Sequence, residues 1–333
     1  MLILGIDTSC DDTAASVVED GVRVLSNVVS SQNELHKKYG GIVPELASRR
    51  HIEMIVPVVD EAMSKAGVDF SDISAIAVCH GPGLIGSLLV GVCFAKSLSY
   101  TKKIPMVAVN HLEGHISSIF LEESAPDFPF LALVVSGGHT SIYRVDGYGT
   151  YTELGRTRDD AAGEAFDKVA KLLGFGYPGG PVMDKIASQG DPEAIHFPQA
   201  KLSGSLDFSF SGLKTAVLNY TKKIPDSKKE DVAASFQKAV IEDLVNKTLD
   251  AAQQEGIKRV TLSGGVSANS ALRRRIKEKA AEKGIEVYLP SIQLSTDNGA
   301  MIASAGFQHF KKGKLADFSL NPKPYLPLGS ADR

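Results

Sequence analysis

One order of elements runs twice through this chain, and few folds can accept it. Residues 2–7, 13–18 and 22–29 are short β-prone runs separated by the turn-like sequences Ser-Cys-Asp-Asp and Glu-Asp-Gly, which predicts a three-strand meander. Apolar residues then recur at helical spacing over 43–66 and stop at Gly67. Next come a buried strand at 73–79, the glycine-rich Gly81-Pro82-Gly83, a helix at 87–100, a strand at 105–109 and a helix at 111–121. From Phe128 the order βββαβαβα begins again. It has strands at 130–135, 141–145 and 151–154, helices at 161–173 and 232–254, a strand at 259–263 and Gly264-Gly265. A helix at 269–283, a strand at 287–290 and a last helix from about Asp297 follow. Halves that match piece for piece predict a duplicated α/β fold. Its cleft would be lined by strand-to-helix loops, where glycine lets backbone N–H groups approach phosphate. The expected N-terminal domain covers 1–125 and is completed by the C-terminal helix, about 296–333; the C-terminal domain covers 126–295, with an insertion at 178–219. That insertion is too long for a simple turn, and loops of such length are commonly functional.

At 333 residues, 43% hydrophobic and 23% charged, the chain can bury two cores. A disordered tail, a fibrous repeat and a disulfide-stapled peptide are excluded. Basic residues number 36 against 39 acidic, a net charge of −3. An RNA partner must therefore be held by local clusters such as Lys37-Lys38, Arg49-Arg50 and Arg273-Arg274-Arg275. Cys10, Cys79 and Cys93 are far apart and form no C-x-x-C pair, which suits a reducing cytoplasm. The N-terminus lacks the basic start of a signal peptide, and the longest apolar stretch, 84–95, falls short of the about 20 residues a bilayer requires. The expectation is a cytoplasmic protein with no membrane partner.

His111-Leu-Glu-Gly-His115 places two imidazoles one turn apart on one helix face. They can share a metal ion, given a third ligand, or simply pack at the end of the preceding strand. A zinc protease needs Glu directly after the first His; Leu112 stands there and Glu113 comes one position late. Residues 134–140 run a strand into Gly137-Gly138, which is either a cradle for phosphate or carboxylate or an ordinary hairpin turn. Residues 262–269 turn on two glycines and open a helix, aiming Asn269 toward the same cleft. The acids Asp7, Asp11, Asp12, Asp159, Asp160, Asp167, Asp184 and Asp297 lie at predicted turns, where most acids are merely solvated. Asp297, in Ser-Thr-Asp-Asn-Gly, reads by default as a helix N-cap. These features alone point to an ATP-dependent small-molecule kinase, against which the histidine pair speaks, or to a nucleotide-binding interaction protein without catalysis.

Six motifs then coincide with a known family. Gly5-Ile-Asp-Thr-Ser-Cys-Asp-Asp-Thr13, Asn110-His-Leu-Glu-Gly-His115, Val135-Ser-Gly-Gly-His-Thr140, Ser211-Gly-Leu-Lys214, Ser263-Gly-Gly-Val-Ser-Ala-Asn269 and Ser295-Thr-Asp-Asn-Gly-Ala-Met301 resemble, in order, those of the tRNA threonylcarbamoyl transferases of the TsaD family. The resemblance spans nearly the whole chain. It implies a duplicated actin/Hsp70/sugar-kinase-like (ASKHA) fold of two domains with a central nucleotide cleft. It implies one divalent ion, iron(II) first and zinc as the alternative, on His111, His115 and Asp297, a set that leaves coordination positions open. It implies contacts to the substrate adenylate from Val134, Val135, Ser136, Gly137, Gly138, Asp167, Gly180, Asp184 and Asn269. A catalytic role falls to Asp11, while Asp12 departs from the Glu common in the family. The implied reaction moves threonylcarbamoyl from threonylcarbamoyl-AMP to the exocyclic amine of the adenosine 3′ of the anticodon in ANN-decoding tRNAs, releasing AMP. The implied partners are tRNA, a separate synthase of the adenylate, a smaller paralogue of TsaB type and a P-loop ATPase of TsaE type. The helix at 43–66 is the expected paralogue surface, because Val43, Leu46, Ile52, Ile55, Val58, Val59 and Ala62 offer apolar area beyond what one domain need cover.

Overall fold

The structure, a computed structural model, describes residues 1–199, 202 and 204–329. Positions 200, 201 and 203 of the expected insertion, and the chain from 330 onward, lie outside the described residues. The chain divides into two compact units. One comprises Met1–Ala125, Gly147–Tyr151 and the segment that starts at Pro290; the other comprises Pro126–Asp146 and Thr152–Leu289.

The first unit opens with β1 (Leu2–Asp7), β2 (Asp12–Glu19), β3 (Arg23–Ser31), α1 (Asn33–Lys37) and α2 (Pro44–Ala66). β4 (Ile73–Gly81), α3 (Ile85–Lys102), β5 (Met106–Asn110) and α4 (His111–Ser117) follow. Its sheet runs β3-β2-β1-β4-β5, antiparallel on the β3 side of β1 and parallel on the β5 side. The second unit carries β6 (Phe130–Val135), most of β7 (Thr140–Gly147) and of β8 (Thr150–Arg156), α5 (Ala162–Leu173), α6 (Gly179–Ala187) and α7 (Ser211–Lys223). After them come α8 (Lys229–Glu255), β9 (Arg259–Ser263), α9 (Ser270–Glu282) and β10 (Glu286–Tyr288). Its sheet runs β10-β9-β6-β7-β8, antiparallel at β6–β7 and parallel at β6–β9 and β9–β10. The chain then returns to the first unit with α10 (Ile292–Ser295) and α11 (Gly299–Lys311). Strand for strand the second sheet repeats the first, as the duplicated pattern predicts.

β1 and β6 occupy the middle of their sheets and are buried on both faces, so they read as continuous apolar runs rather than as alternation. In the first unit Leu4 and Ile6 pack with α2, and Ile3 and Val18 pack with Ala300 to Phe307 of α11. α11 lies very close to the sheet. A Cβ on Gly5 would stand 2.1 Å from Gly299 O, and one on Gly306 would stand 2.3 Å from Ala77 Cβ. Glycine at these positions therefore sets the helix-to-sheet spacing that carries Asp297 to its place.

The face of α2 marked by periodicity is core. Ile55, Val58, Val59 and Ala62 are at most 4% exposed, which corrects the paralogue surface expected from sequence; Val43 and Leu46 are half-buried. Of that set Ile52 is exposed, at 65%, with Val56 one turn further on at 50%. The helix expected over 111–121 is also shorter, ending at Ser117 and continuing as a 3-10 turn to Leu121. The insertion at 178–219 contains α6 and the start of α7. Gly179-Gly180-Pro181 made α6 look like loop, although the first turn of a helix is where proline is tolerated.

Candidate functional site

In the first unit β5 passes directly into α4. Asn110 caps that helix: its Oδ1 accepts from Leu112 N at 2.8 Å and its Nδ2 donates to Leu326 O at 3.1 Å. His111 and His115 follow one turn apart, their ring centroids 4.6 Å from each other. Asp297 arrives on the loop before α11. The cap of α11 is its neighbour Asn298, whose Oδ1 accepts from Met301 N at 2.9 Å. This corrects the default reading of Asp297 as the cap and leaves its carboxylate to face the histidines. Asp297 Oδ1 lies 3.2 Å from His115 Nε2 and 3.7 Å from His111 Nε2, and one ligand atom from each of the three falls within 4.8 Å of the others. His115 is fully buried, and neither of its ring nitrogens makes a hydrogen bond. A buried polar group left unsatisfied costs about 1–3 kcal/mol. A divalent ion would take one of those nitrogens together with one ligand atom each from His111 and Asp297, so the donor set fits one.

His111 is held from behind. Its Nδ1 lies 3.2 Å from Asp7 Oδ2, and Asp7 Oδ1 accepts from Ser9 N at 2.8 Å. A carboxylate behind a ligating imidazole fixes which nitrogen faces the ion. The sequence reading did not assign Asp7 this part; its only signal was its place at the end of β1. Burial disfavours the His111 imidazolium, yet Asp297 and Asp7 outweigh burial and raise its pKa well above the ordinary value. The pocket is arranged for positive charge. Cys79 shares the Asp7 side, where burial, with Asp7, pushes its thiol up to about 12; Asp7, Cys79 and His111 also bring one ligand atom each within 4.8 Å of one another. Glu113 accepts from Tyr151 OH at 3.0 Å and lies 2.9 Å from His309 Nε2, a role unrelated to that of a protease base.

Asp11 and Asp12 are half-buried at the turn between β1 and β2. Burial, then the charge of Asp297, raises the Asp11 pKa. Burial, then Asp11 and Asp297, pushes Asp12 up to about 7. Asp12 Oδ1 has no hydrogen-bond partner.

The residues expected to meet the adenylate all lie in the second unit, where hydrogen bonds link them in sequence. Val134 and Val135 end β6, and the following loop is closed by Ser136 N to His139 O at 2.8 Å. Ser136 O accepts from Gly163 N of α5 at 3.2 Å. Further along α5, Asp167 Oδ1 accepts from Gly179 N at 2.7 Å, at the start of α6. Asp184, on α6, accepts from Ser270 N at 2.9 Å and Ser270 Oγ at 3.0 Å, at the start of α9. Asn269 caps α9 by accepting from Leu272 N at 2.9 Å, and its Nδ2 donates to Gln237 Oε1 at 2.7 Å. A Cβ on Gly137, Gly138, Gly180 or Gly265 would meet nothing within 4 Å. These four positions leave open backbone of the kind a phosphate can approach. A cavity of about 1120 Å³ is lined by Asp184, Gln237 and Ser270 but by none of these four glycines.

Residues 23–304 match the family described as TsaD: tRNA N6-adenosine threonylcarbamoyltransferase. The chain belongs to the TsaD family. A relative named tRNA N6-adenosine threonylcarbamoyltransferase from Thermodesulfovibrio yellowstonii is 60% identical over 98% of this chain and 100% of that protein. One of the same name from Clostridioides difficile is 53% identical over 98% of each. Among solved structures, full-length HypF in its phosphate- and nucleotide-bound form superposes with a TM-score of 0.63 at 17% identity, covering 95% of this chain and 56% of that one. Component A of (R)-2-hydroxyglutaryl-CoA dehydratase from Acidaminococcus fermentans gives 0.56 at 14%, covering 92% and 98%. These two likenesses bear on the fold alone, and both agree with the duplicated ASKHA architecture of a TsaD protein.

Two expectations about this TsaD chain change with its geometry. The loop Gly81-Pro82-Gly83 is not a third phosphate cradle: a Cβ on Gly81 would stand 2.1 Å from Lys323 O and one on Gly83 2.4 Å from Ser9 O, while Gly83 N donates to Pro324 O. Its glycines serve close packing. The basic clusters are largely matched by carboxylates, with Arg49 at 2.6 Å from Glu45, Arg50 at 2.6 Å from Glu53, Arg275 at 2.6 Å from Glu242 and Lys37 at 3.6 Å from Glu34. Lys38 is exposed and makes no ion pair among the described residues. Among the described residues no helix is long and apolar enough to cross a membrane.

Proposed function

We propose that this chain transfers the threonylcarbamoyl group of threonylcarbamoyl-AMP to the exocyclic amine of the adenosine 3′ of the anticodon in ANN-decoding tRNAs, releasing AMP. Membership of the TsaD family supports the reaction class. The observation that carries the site is the fully buried His115, whose ring nitrogens make no hydrogen bond, beside His111 and Asp297. In the reaction the amine nitrogen bonds to the carbamoyl carbon and the bond from that carbon to the phosphate oxygen breaks. AMP leaves with the electron pair, and the amine proton passes to a base.

His111, His115 and Asp297 would hold iron(II), or zinc as the alternative, with Asp7 behind His111. Such an ion, when bound, supplies Lewis-acid stabilisation of charge on an oxygen. The donor is already activated, so the task of the chain is orientation and charge stabilisation. Gly137, Gly138 and Gly180 admit the adenylate to the backbone, and Val134, Val135, Ser136, Asp167, Asp184 and Asn269 hold the loops that present them. Asp11 is assigned the proton transfer, with Asp12 as its coupled neighbour. Burial, then the charge of Asp297, raises the Asp11 carboxyl above its ordinary value, which favours its taking a proton.

The test is metal analysis of anaerobically purified protein, followed by mixing with tRNA and preformed adenylate. One equivalent of metal, with threonylcarbamoyladenosine and AMP formed together, is the expected result. Phosphorylation of a small hydroxy compound by ATP, with no modified nucleoside, would replace this reading with a kinase.

A separate synthase must supply the adenylate, because the assigned residues serve only its consumption. For the smaller paralogue we assign the exposed apolar residues Ile52 and Val56 of α2, with Ile85 and Leu89 of α3. A P-loop ATPase that resets the complex between turnovers completes the assembly. Ile52→Asp combined with Val56→Asp should abolish paralogue binding in a pull-down without loss of fold; undiminished binding moves the interface elsewhere. RNA contacts through the basic clusters would exchange protein carboxylates for phosphates, which leaves Lys38 as the cation with least to give up.

A further inference from the structure

We propose that Glu113 is a positioning residue of the metal centre: through His309 and Tyr151 it holds α4 on α11 and so sets how far the two histidines stand from Asp297. The inference rests on the metal reading above and goes beyond it by assigning residues that touch neither ion nor substrate.

α4 has seven residues, too few to be held by its own hydrogen bonds. Its position must come from what it packs against. A Cβ on Gly114 would stand 2.8 Å from Ile302 Cδ1 and 3.3 Å from Met301 Cγ, so α4 rests its glycine on the first turn of α11, directly after Asp297 and Asn298. All seven residues of α4 are buried, and Gly114 is a close point of its packing on α11. Glu113 supplies a second point. Its side chain is almost wholly buried, and both of its oxygens lie 2.9 Å from Nε2 of His309, in the last turn of α11. Its Oε1 also accepts from Tyr151 OH at 3.0 Å. Tyr151 is backed in turn by Gly329, where a Cβ would stand 2.6 Å from Tyr151 O.

α4 is thus clamped near the beginning of α11 by Gly114 and near its end by Glu113. One helix carries both histidines and the other follows directly on Asp297, so the clamp and the ligand geometry are one mechanical unit. His309 lies twelve residues beyond Asp297 in the sequence, on the order of 18 Å along a helix. No direct effect on an ion is expected over that distance.

The test measures Zn²⁺ dissociation constants and Co²⁺ visible spectra for the full chain and for Glu113→Ala, Glu113→Gln, His309→Ala and the Glu113→Ala/His309→Ala pair. Supporting results are a Zn²⁺ affinity about 10–100-fold weaker in either alanine variant, with an altered Co²⁺ spectrum. The double variant should be no worse than the weaker single, because both break one clamp. Glu113→Gln, which keeps an oxygen acceptor, should restore most of the affinity. In the metal-free protein, faster hydrogen exchange of α4 amides should accompany the alanine changes. Folded alanine variants with unchanged Zn²⁺ affinity and Co²⁺ spectrum overturn the proposal, even if their melting temperatures fall. Should Glu113→Ala not fold, His309→Ala decides by the same readings. Failure of the unaltered chain to bind either metal overturns the metal reading itself, a result distinct from a wild type that binds and variants that bind equally well.

Discussion

The residues assigned to the ion and those assigned to the adenylate are built on opposite plans. In the second unit the side chains satisfy one another, Asp167 with Gly179, Asp184 with Ser270, and Asn269 with Leu272 and Gln237; space opens only where glycines have no side chain. In the first unit several buried polar atoms make no hydrogen bond: both nitrogens of His115, the one nearer Asp297 standing 3.2 Å from its carboxylate, Oδ1 of Asp12 and the hydroxyl of Ser9, besides atoms of Asn27, Gln32, His36 and Ser87. The hydroxyls of Ser263 and Ser267, either side of Gly264-Gly265, are the second unit's counterparts among the described residues. Buried polar groups are normally paired, so the unbonded His115 nitrogens beside Asp297 suit a place completed by something that binds. A ligand that comes and goes is served by loops that stand without it. The proposed cation would be served by a pocket that is electrostatically incomplete until it arrives.

The largest effect that could break this contrast comes from the ligands. His115→Ala or Asp297→Ala should abolish metal binding and tRNA modification while each metal-free variant still melts cooperatively. Ligand at a hundred times its Kd stabilises a protein by about 2.7 kcal/mol. Melts with and without Zn²⁺ should show such a gain in the unaltered chain and none in the variants; stoichiometric metal in either variant removes the assignment.

Two glycines of the second unit separate fold from ligand. Gly264 has φ +89°, and a Cβ there would meet Val135 O at 2.3 Å. Gly264→Ala should therefore cost roughly 1–3 kcal/mol in denaturant melts. Gly138→Ala, with open space around it, should leave stability within about 0.5 kcal/mol and weaken adenylate binding in calorimetry. Equal destabilisation by both would mean that Gly138 is structural.

Asp184→Ala strips the start of α9 of its acceptor and should cost about 1 kcal/mol. It should weaken the adenylate and leave Zn²⁺ affinity unchanged; a parallel loss of metal would show that the two sets of residues are not independent.

The smallest effect is a pH dependence. With Asp12 raised from 3.8 to about 7 in the folded chain, the native state keeps a proton that the unfolded state releases within that window. Stability of the metal-free protein should therefore fall as pH rises from about 4 to about 7. Asp12→Asn should flatten that part of the curve in urea melts at several pH values. Because the charge of Asp297 is among the causes, bound Zn²⁺ should lower the Asp12 pKa as well. A slope unchanged by Asp12→Asn assigns the titration to another group.

The order of elements along the chain, most of the long helices, the duplication and a candidate metal set could be drawn from the sequence, the last through its motifs. Apolar periodicity and turn chemistry act over a few residues, and they placed β1 and β6 and stopped α2 at Gly67, which takes the left-handed φ of 67°. Periodicity could not say what covers an apolar face, so Ile55 and Ile52 looked alike until one proved core and the other surface. Adjacent Asp297 and Asn298 are both good caps, and only the fold chose between them. Gly81 and Gly137 have the same local chemistry; Lys323 O crowds one position and nothing crowds the other. The partnerships that make the site, Asp7 with His111 across 104 residues and Glu113 with His309 across 196, leave no local trace. They arise because helices and sheets close-pack into one geometry, and that packing decides which distant side chains meet.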